Sequence, residues 1–160
     1  MASGIRFSKQ HAGLRKQGEL LMYHHIILAA DGSEHSLRAA EQAAILAGFS
    51  SDCRITILFV PRLDEQRGGT LHIERLAAVQ RERKEKLSRH EALFIEKQIP
   101  YTVLIRDGDP GPVIVKYANE QKADMVILGS RGLNNLQEFV LGSVSHKVMK
   151  RVNCPVMIVK

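Results

Sequence analysis

A five-stranded parallel, doubly wound sheet with helices on both faces, Rossmann-like in plan, is the fold predicted for this 160-residue chain. Three observations predict it. Short runs of β-branched and aliphatic residues alternate with helix-period segments along the chain, the pattern of successive βαβ units. Most of these runs are apolar at almost every position rather than at every second one, which suits strands covered on both faces. The intervening segments are long enough for helical crossovers, and right-handed crossovers restrict such a chain to a doubly wound sheet.

The first strand is His25-Ile26-Ile27-Leu28-Ala29-Ala30, stopped by the turn residues Asp31-Gly32-Ser33. Ser33 suits the N-cap of a helix with Leu37, Ala40, Ala44 and Ala47 on one face and Gly48 at its end. Arg54 to Val60 is the second strand, halted by Pro61, and residues 61–70, with Gly68 and Gly69, read as a loop. From about Leu71 to Gln98 the spacing predicts a charged helix with a thin apolar stripe of Leu76, Val79, Leu87 and Phe94. Within it, Arg81-Glu82-Arg83-Lys84-Glu85-Lys86 alternates in sign and reads as a solvated face.

Tyr101 to Ile105 is the third strand, and Asp109-Pro110 is a good N-cap and first-turn pair. Val113, Ile114, Tyr117, Ala118 and Gln121 follow along one side of a short helix. Met125 to Leu128 is the fourth strand. The last helix presents Val144, Val148 and Val152 and breaks at Asn153-Cys154-Pro155, before the fifth strand, Val156 to Val159. Residues 22–160 form one domain on this reading. Residues 1–21 are expected to be a poorly ordered extension, since they lack apolar patterning, and Met22 is an alternative start.

Composition narrows the function. The net charge is +6, but Arg6, Lys9, Arg15 and Lys16 against Glu19 place +3 of it in residues 1–21. Aromatic residues are few and none interleaves a basic patch, which argues against nucleic acid as a partner. No apolar run approaches the ~20 residues of a membrane span, and no secretory signal core opens the chain. Cys53 and Cys154 show no metal or redox spacing, so cytoplasmic location and buried thiols are expected.

The functional signal lies after the fourth strand, in Gly129-Ser130-Arg131-Gly132, then nine residues, then Gly142-Ser143-Val144-Ser145. Gly129 and Gly132 permit positive φ and close backbone approach to a ligand. Gly142 and Ser143 open a helix whose first N–H groups lack intrahelical partners and can bind an anion. Two such turns separated by one loop suggest a polyphosphate, most simply a nucleotide. This is neither a Walker A loop nor a dinucleotide fingerprint. In an open parallel sheet the site lies beyond strand ends at the topological switch point, so the first strand's Asp31 should face Gly129. An ionised carboxylate only accepts, which suits a ribose hydroxyl or an adenine amino group rather than a phosphate. Arg131 is a candidate phosphate cation, as is Lys147.

These residues resemble the universal stress protein family. Asp31-Gly32-Ser33 after the first strand, Gly129-x-x-Gly132-x9-Gly142-Ser143, and Cys154-Pro155-Val156 before the last strand carry the resemblance, over residues 23–160. Keeping all three glycines is similar to the ATP-binding branch. The resemblance implies ATP, with Mg, held by Ala30, Asp31, Val60, Leu128, Gly129, Arg131, Gly132, Gly142, Ser143, Val144 and Ser145. Asp31 would lie near the nucleoside and the end of the second strand beside adenine, while the glycine motif would wrap ribose and phosphates. It also implies a homodimer through the C-terminal edge strand. Ala29-Ala30 departs from the bulkier or proline residues that other members often carry there.

A stress-response binding module is therefore expected rather than an enzyme. The rival is a slow ATPase or nucleotidyl transferase of the same α/β class. No catalytic group and no metal ligand set is assigned. None of His24, His25, His35, His72 and His90 is given a chemical role, and most are expected at the surface. A phosphoacceptor receiver domain is disfavoured because Asp31 has no acidic neighbour at its strand end.

Overall fold

The five apolar runs become strands because a sheet covered on both faces buries side chains at successive positions, most fully in the first, second and fourth runs. The computed structural model describes residues 23–61, 72–132 and 141–160. The expected extension over 1–21 and all but the first residue of the expected 61–70 loop lie outside the described residues. In chain order the elements are β1 (His25–Ala30), α1 (Glu34–Ala47), β2 (Arg54–Phe59), α2 (His72–Glu96), β3 (Tyr101–Ile105), α3 (Pro110–Glu120), β4 (Met125–Gly129), α4 (Ser143–Arg151) and β5 (Val156–Val159). The strands form one sheet in the order β3-β2-β1-β4-β5, and every neighbouring pair is parallel. The predicted fold is the observed one.

Alternation along each strand splits the core in two. Ile26, Leu28, Ile55, Ile57 and Ile127 face α1 and α2, where they meet Ala39, Ala43, Leu87 and Phe94. Ile27, Leu58, Val126 and Leu128 face α3 and α4, where they meet Ile114, Ala118 and Val148. The chain winds outward from β1 to β3, then crosses to β4 on the other side of β1. The winding therefore reverses between β1 and β4, and the carboxyl ends of those two strands part to leave a crevice.

Some local expectations shift. On α1 the buried face is Ser36, Ala39, Ala40, Ala43, Ala44 and Ala47, and Leu37 is only half-buried. Gly48 ends α1, but with φ −64° it does so in a right-handed conformation that any residue adopts. Asp109 occupies the N-cap position of α3 without a capping bond, because its carboxylate pairs instead with Lys147 Nζ at 2.8 Å. On α2, Leu76 is 51% exposed, and the buried stripe is Val79, Leu87, His90 and Phe94. None of the described helices is long and apolar enough to cross a membrane.

Two of the five histidines, most of which were expected at the surface, are core residues. His90 is 1% exposed, and its Nε2 lies 2.6 Å from Ser36 Oγ, tying α2 to α1. His25 is also buried, with Nε2 2.9 Å from Thr56 Oγ1 across the β1–β2 pair. The Nδ1 atoms of both are buried with no hydrogen-bond partner. Burial holds both rings below the ordinary histidine value of 6.5; Arg54 adds to this at His25 while Asp124 opposes it, and Asp31 opposes it at His90.

Between the depressed folded values and 6.5, the unfolded chain binds more protons than the folded one, so stability there rises with pH. Their stabilisation is accordingly complete above 6.5 and is lost as pH falls from there through the folded-state values. Urea denaturation should give a lower midpoint at pH 5.5 than at pH 7.5, and His90→Gln should flatten that dependence. A midpoint independent of pH in this window would contradict it.

Candidate functional site

β1 delivers Asp31 to the crevice, where it opens the turn into α1. Its Oδ1 accepts the N–H of Ser33 at 3.0 Å, and Ser33 Oγ in turn caps α1 by accepting Ser36 N–H at 3.1 Å. Gly32 has φ +85°, a left-handed conformation that L side chains rarely adopt. Asp31 thus serves the turn with one oxygen. Among the described residues, no hydrogen bond is made to the other, Oδ2.

β4 delivers the glycine motif opposite. A Cβ on Gly132 would stand 2.7 Å from Asp31 Oδ2, so the backbone of Gly132 lies against that carboxylate. Gly129 has a different role. A Cβ there would meet His35 Cβ at 2.7 Å, the His35 carbonyl carbon at 2.9 Å and Ser36 N at 3.0 Å, which is the first turn of α1. Neither glycine has positive φ, since Gly32 and Gly108 are the described glycines that do. The expected positive φ is therefore absent at both; the expected lack of bulk is used, but for protein atoms: Gly129 admits a helix and Gly132 admits a carboxylate.

Gly142 caps α4 without a side-chain bond, and its own N–H donates to Ser130 O at 2.8 Å. The first described intrahelical bond of α4 is His146 N–H to Gly142 O at 2.9 Å. The N–H groups of Ser143, Val144 and Ser145 precede it, as the open donors of a helix start. Ser145 Oγ–H donates to Gly129 O at 2.8 Å, anchoring the helix start to the end of β4. Ser130, not singled out in the sequence, is buried. It donates its N–H to Val159 O at 2.7 Å, and its Oγ lies 3.2 Å from His35 Nδ1.

Between these parts is a cavity of about 360 Å³, within the range of small-molecule sites. All eleven residues carried over from the sequence (Ala30, Asp31, Val60, Leu128, Gly129, Arg131, Gly132, Gly142, Ser143, Val144 and Ser145) lie on its wall. Lys147 does not; besides its pairing with Asp109, its stem packs on Gly111. The wall also includes Leu58 and Phe59 of β2, Pro110 and Ile114 of α3, and Lys86 of α2. Lys86 had no signal in the sequence beyond its place in a charge-alternating run.

The chemistry of the wall is graded. The ends of β1, β2 and β4 with Ile114 make an apolar floor, Asp31 supplies an acceptor, and α4 supplies N–H donors with a favourable helix dipole. A flat apolar group, hydroxyls and an anion would each find a matching surface.

Residues 22–160 match the family model of the universal stress protein family. The chain belongs to the universal stress protein family. Universal stress protein YxiE of Bacillus subtilis is 30% identical, over 87% of this chain and all of that protein. Among solved structures, that of MJ0577 from Methanocaldococcus jannaschii superposes with a TM-score of 0.73 at 29% identity, covering 88% of this chain and 97% of the other. A universal stress protein solved in complex with cAMP gives a TM-score of 0.62 at 26% identity, covering 87% and 98%. The family fold accounts for the switch point between β1 and β4.

Proposed function

We propose that this universal stress protein is a nucleotide-binding module of the stress response, with ATP as its ligand. The observation that carries the reading is the meeting of Asp31 and the open start of α4 on one cavity at the switch point. Adenine would lie on the apolar floor toward Val60, and ribose would donate a hydroxyl to Asp31 Oδ2. The phosphates would lie at the N–H groups of Ser143 to Ser145, with Arg131 on the same wall. A related universal stress protein holding cAMP supports the nucleotide class.

Mg²⁺ would enter with the phosphates, because dedicated all-protein Mg²⁺ cages are unusual. Among the described residues, no group of three or more His, Cys, Asp or Glu side chains could hold a metal, and Asp31 is the one carboxylate on the described wall. The module is read as a binder rather than a catalyst, since efficient phosphoryl transfer needs a positioned metal and a water-orienting group. Steady-state hydrolysis above ~1 per second would promote the enzyme reading.

The deciding experiment is titration calorimetry with ATP. Asp31→Ala should weaken binding about tenfold to a hundredfold, the loss of one hydrogen bond to a charged group worth ~1.5–3 kcal/mol. Equal affinity in wild type and variant would refute the site.

A homodimer through β5 fits the same family reading. β5 pairs with β4 alone at the sheet edge, and all four of its residues are only half-buried in the single chain. Such an edge leaves one row of N–H and C=O groups unpaired, and a two-fold contact would cover both copies. Light scattering at micromolar concentration should give a dimer mass that Ile158→Lys lowers, with circular dichroism as the folding control. A monomeric wild type would eliminate this assembly.

A further inference from the structure

We propose that Lys86 of α2 contacts a ligand phosphate, acting as a cation of the cleft from the face of the sheet opposite α4. The inference rests on the nucleotide reading above. Lys86 lines the same cavity as Asp31 and the α4 start, although its own helix belongs to the α1–α2 layer.

Its placement is set by packing rather than by chance exposure. The left-handed Gly32 turn lies directly on the Lys86 stem: a Cβ at position 32 would stand 2.7 Å from Lys86 Cβ and 2.9 Å from Cγ. The turn that aims Asp31 therefore also pins the base of Lys86. The ammonium lies 5.9 Å from the centroid of Phe59, the last residue of β2 and itself a wall residue.

Chemistry selects the ligand group. An ammonium offers three donors and no acceptor, so it cannot serve an adenine amino group and suits phosphate oxygens. On the described wall the cations are Lys86 and Arg131, against Asp31 as the carboxylate. Lys86 Nζ presently bonds Glu82 Oε1 at 2.6 Å, one turn earlier on α2. Glu82 is not on the described cavity wall. The pair is part-buried, with side chains 27% and 23% exposed, and a polyphosphate competes for Lys86 by offering several charged oxygens against one carboxylate. Lys86 would then meet a phosphate oxygen from the α1–α2 side of the cleft, as a contact separate from the N–H groups of α4.

The test is a calorimetric series of adenosine, AMP, ADP and ATP against wild type, K86Q, K86R and E82Q, with circular dichroism to confirm folding. K86Q should weaken phosphate-bearing ligands about tenfold, the effect of one charge-assisted contact, and leave adenosine unchanged. K86R should stay near wild type, and E82Q should bind the phosphate-bearing ligands more tightly because the competing carboxylate is gone. Equal loss for adenosine and ATP in K86Q would reduce Lys86 to a packing role and overturn the inference. So would an unaltered K86Q profile on a wild type that binds. A wild type that binds none of the four overturns the nucleotide reading itself.

Discussion

Replacing Gly132 with valine is expected to abolish ATP binding while leaving the domain folded. The new Cβ would stand 2.7 Å from Asp31 Oδ2. That atom is the free end of a side chain, so it can swing aside at little cost to the fold. The cost falls on the site, because the displaced oxygen is the one not committed to Ser33. The loss should exceed the roughly tenfold to hundredfold expected for removing the carboxylate, because the valine methyls add obstruction on the cavity wall. Calorimetry should show no measurable binding, and the unfolding free energy from urea denaturation should stay within about 0.5 kcal/mol of wild type, as for other substitutions away from the core. Retained affinity would show that Gly132 and Asp31 do not share a ligand.

The second large effect comes from the other glycine of the motif and is of a different kind. Gly129→Ala is expected to destabilise the whole domain. Its Cβ would meet His35 Cβ at 2.7 Å and two backbone atoms, His35 C at 2.9 Å and Ser36 N at 3.0 Å. Backbone in the first turn of a capped helix cannot step aside alone, so α1 must move from β4. Overpacking of this sort costs about 1–3 kcal/mol, against a typical domain stability of about 5–15 kcal/mol. At about 2–4 °C per kcal/mol for a domain near this size, the thermal midpoint should fall by several degrees. An unchanged midpoint would show that α1 and β4 can separate freely. Two glycines three residues apart thus fail in opposite ways, one through the ligand and one through the fold.

Much of this architecture was legible in the chain because it is written in local patterns. Apolar runs bounded by Asp31-Gly32-Ser33, by Pro61 and by Pro155 marked strands, and the alternation with helices left one plausible winding. The order of strands then follows, and with it the crevice between β1 and β4. That is why residues as distant as Asp31 and Gly142 could be assigned to one site from spacing and resemblance, and why the structure brings them to one wall. The N-cap at Ser33 was legible for the same reason, since the donor it satisfies lies three residues away.

What the tertiary structure alone decided is where side chains from different elements meet. His90 read as one more polar residue on a charged helix, yet it fills the α1–α2 seam opposite Ser36. Gly129 read as a residue that frees a backbone for a ligand, yet it is small because a helix passes within contact of it. Asp109 was read as a cap, yet it pairs with Lys147 from another helix. Lys86 read as a solvated charge, yet the turn after β1 packs on its stem and the residue lines the cavity. Hydrophobic periodicity and turn chemistry are properties of neighbours along the chain, so the sequence by itself determined the elements, their winding and the end of the sheet that carries the site. The role of each glycine, histidine and lysine depends on atoms brought within contact from tens of residues away, and only the packed fold supplies those neighbours.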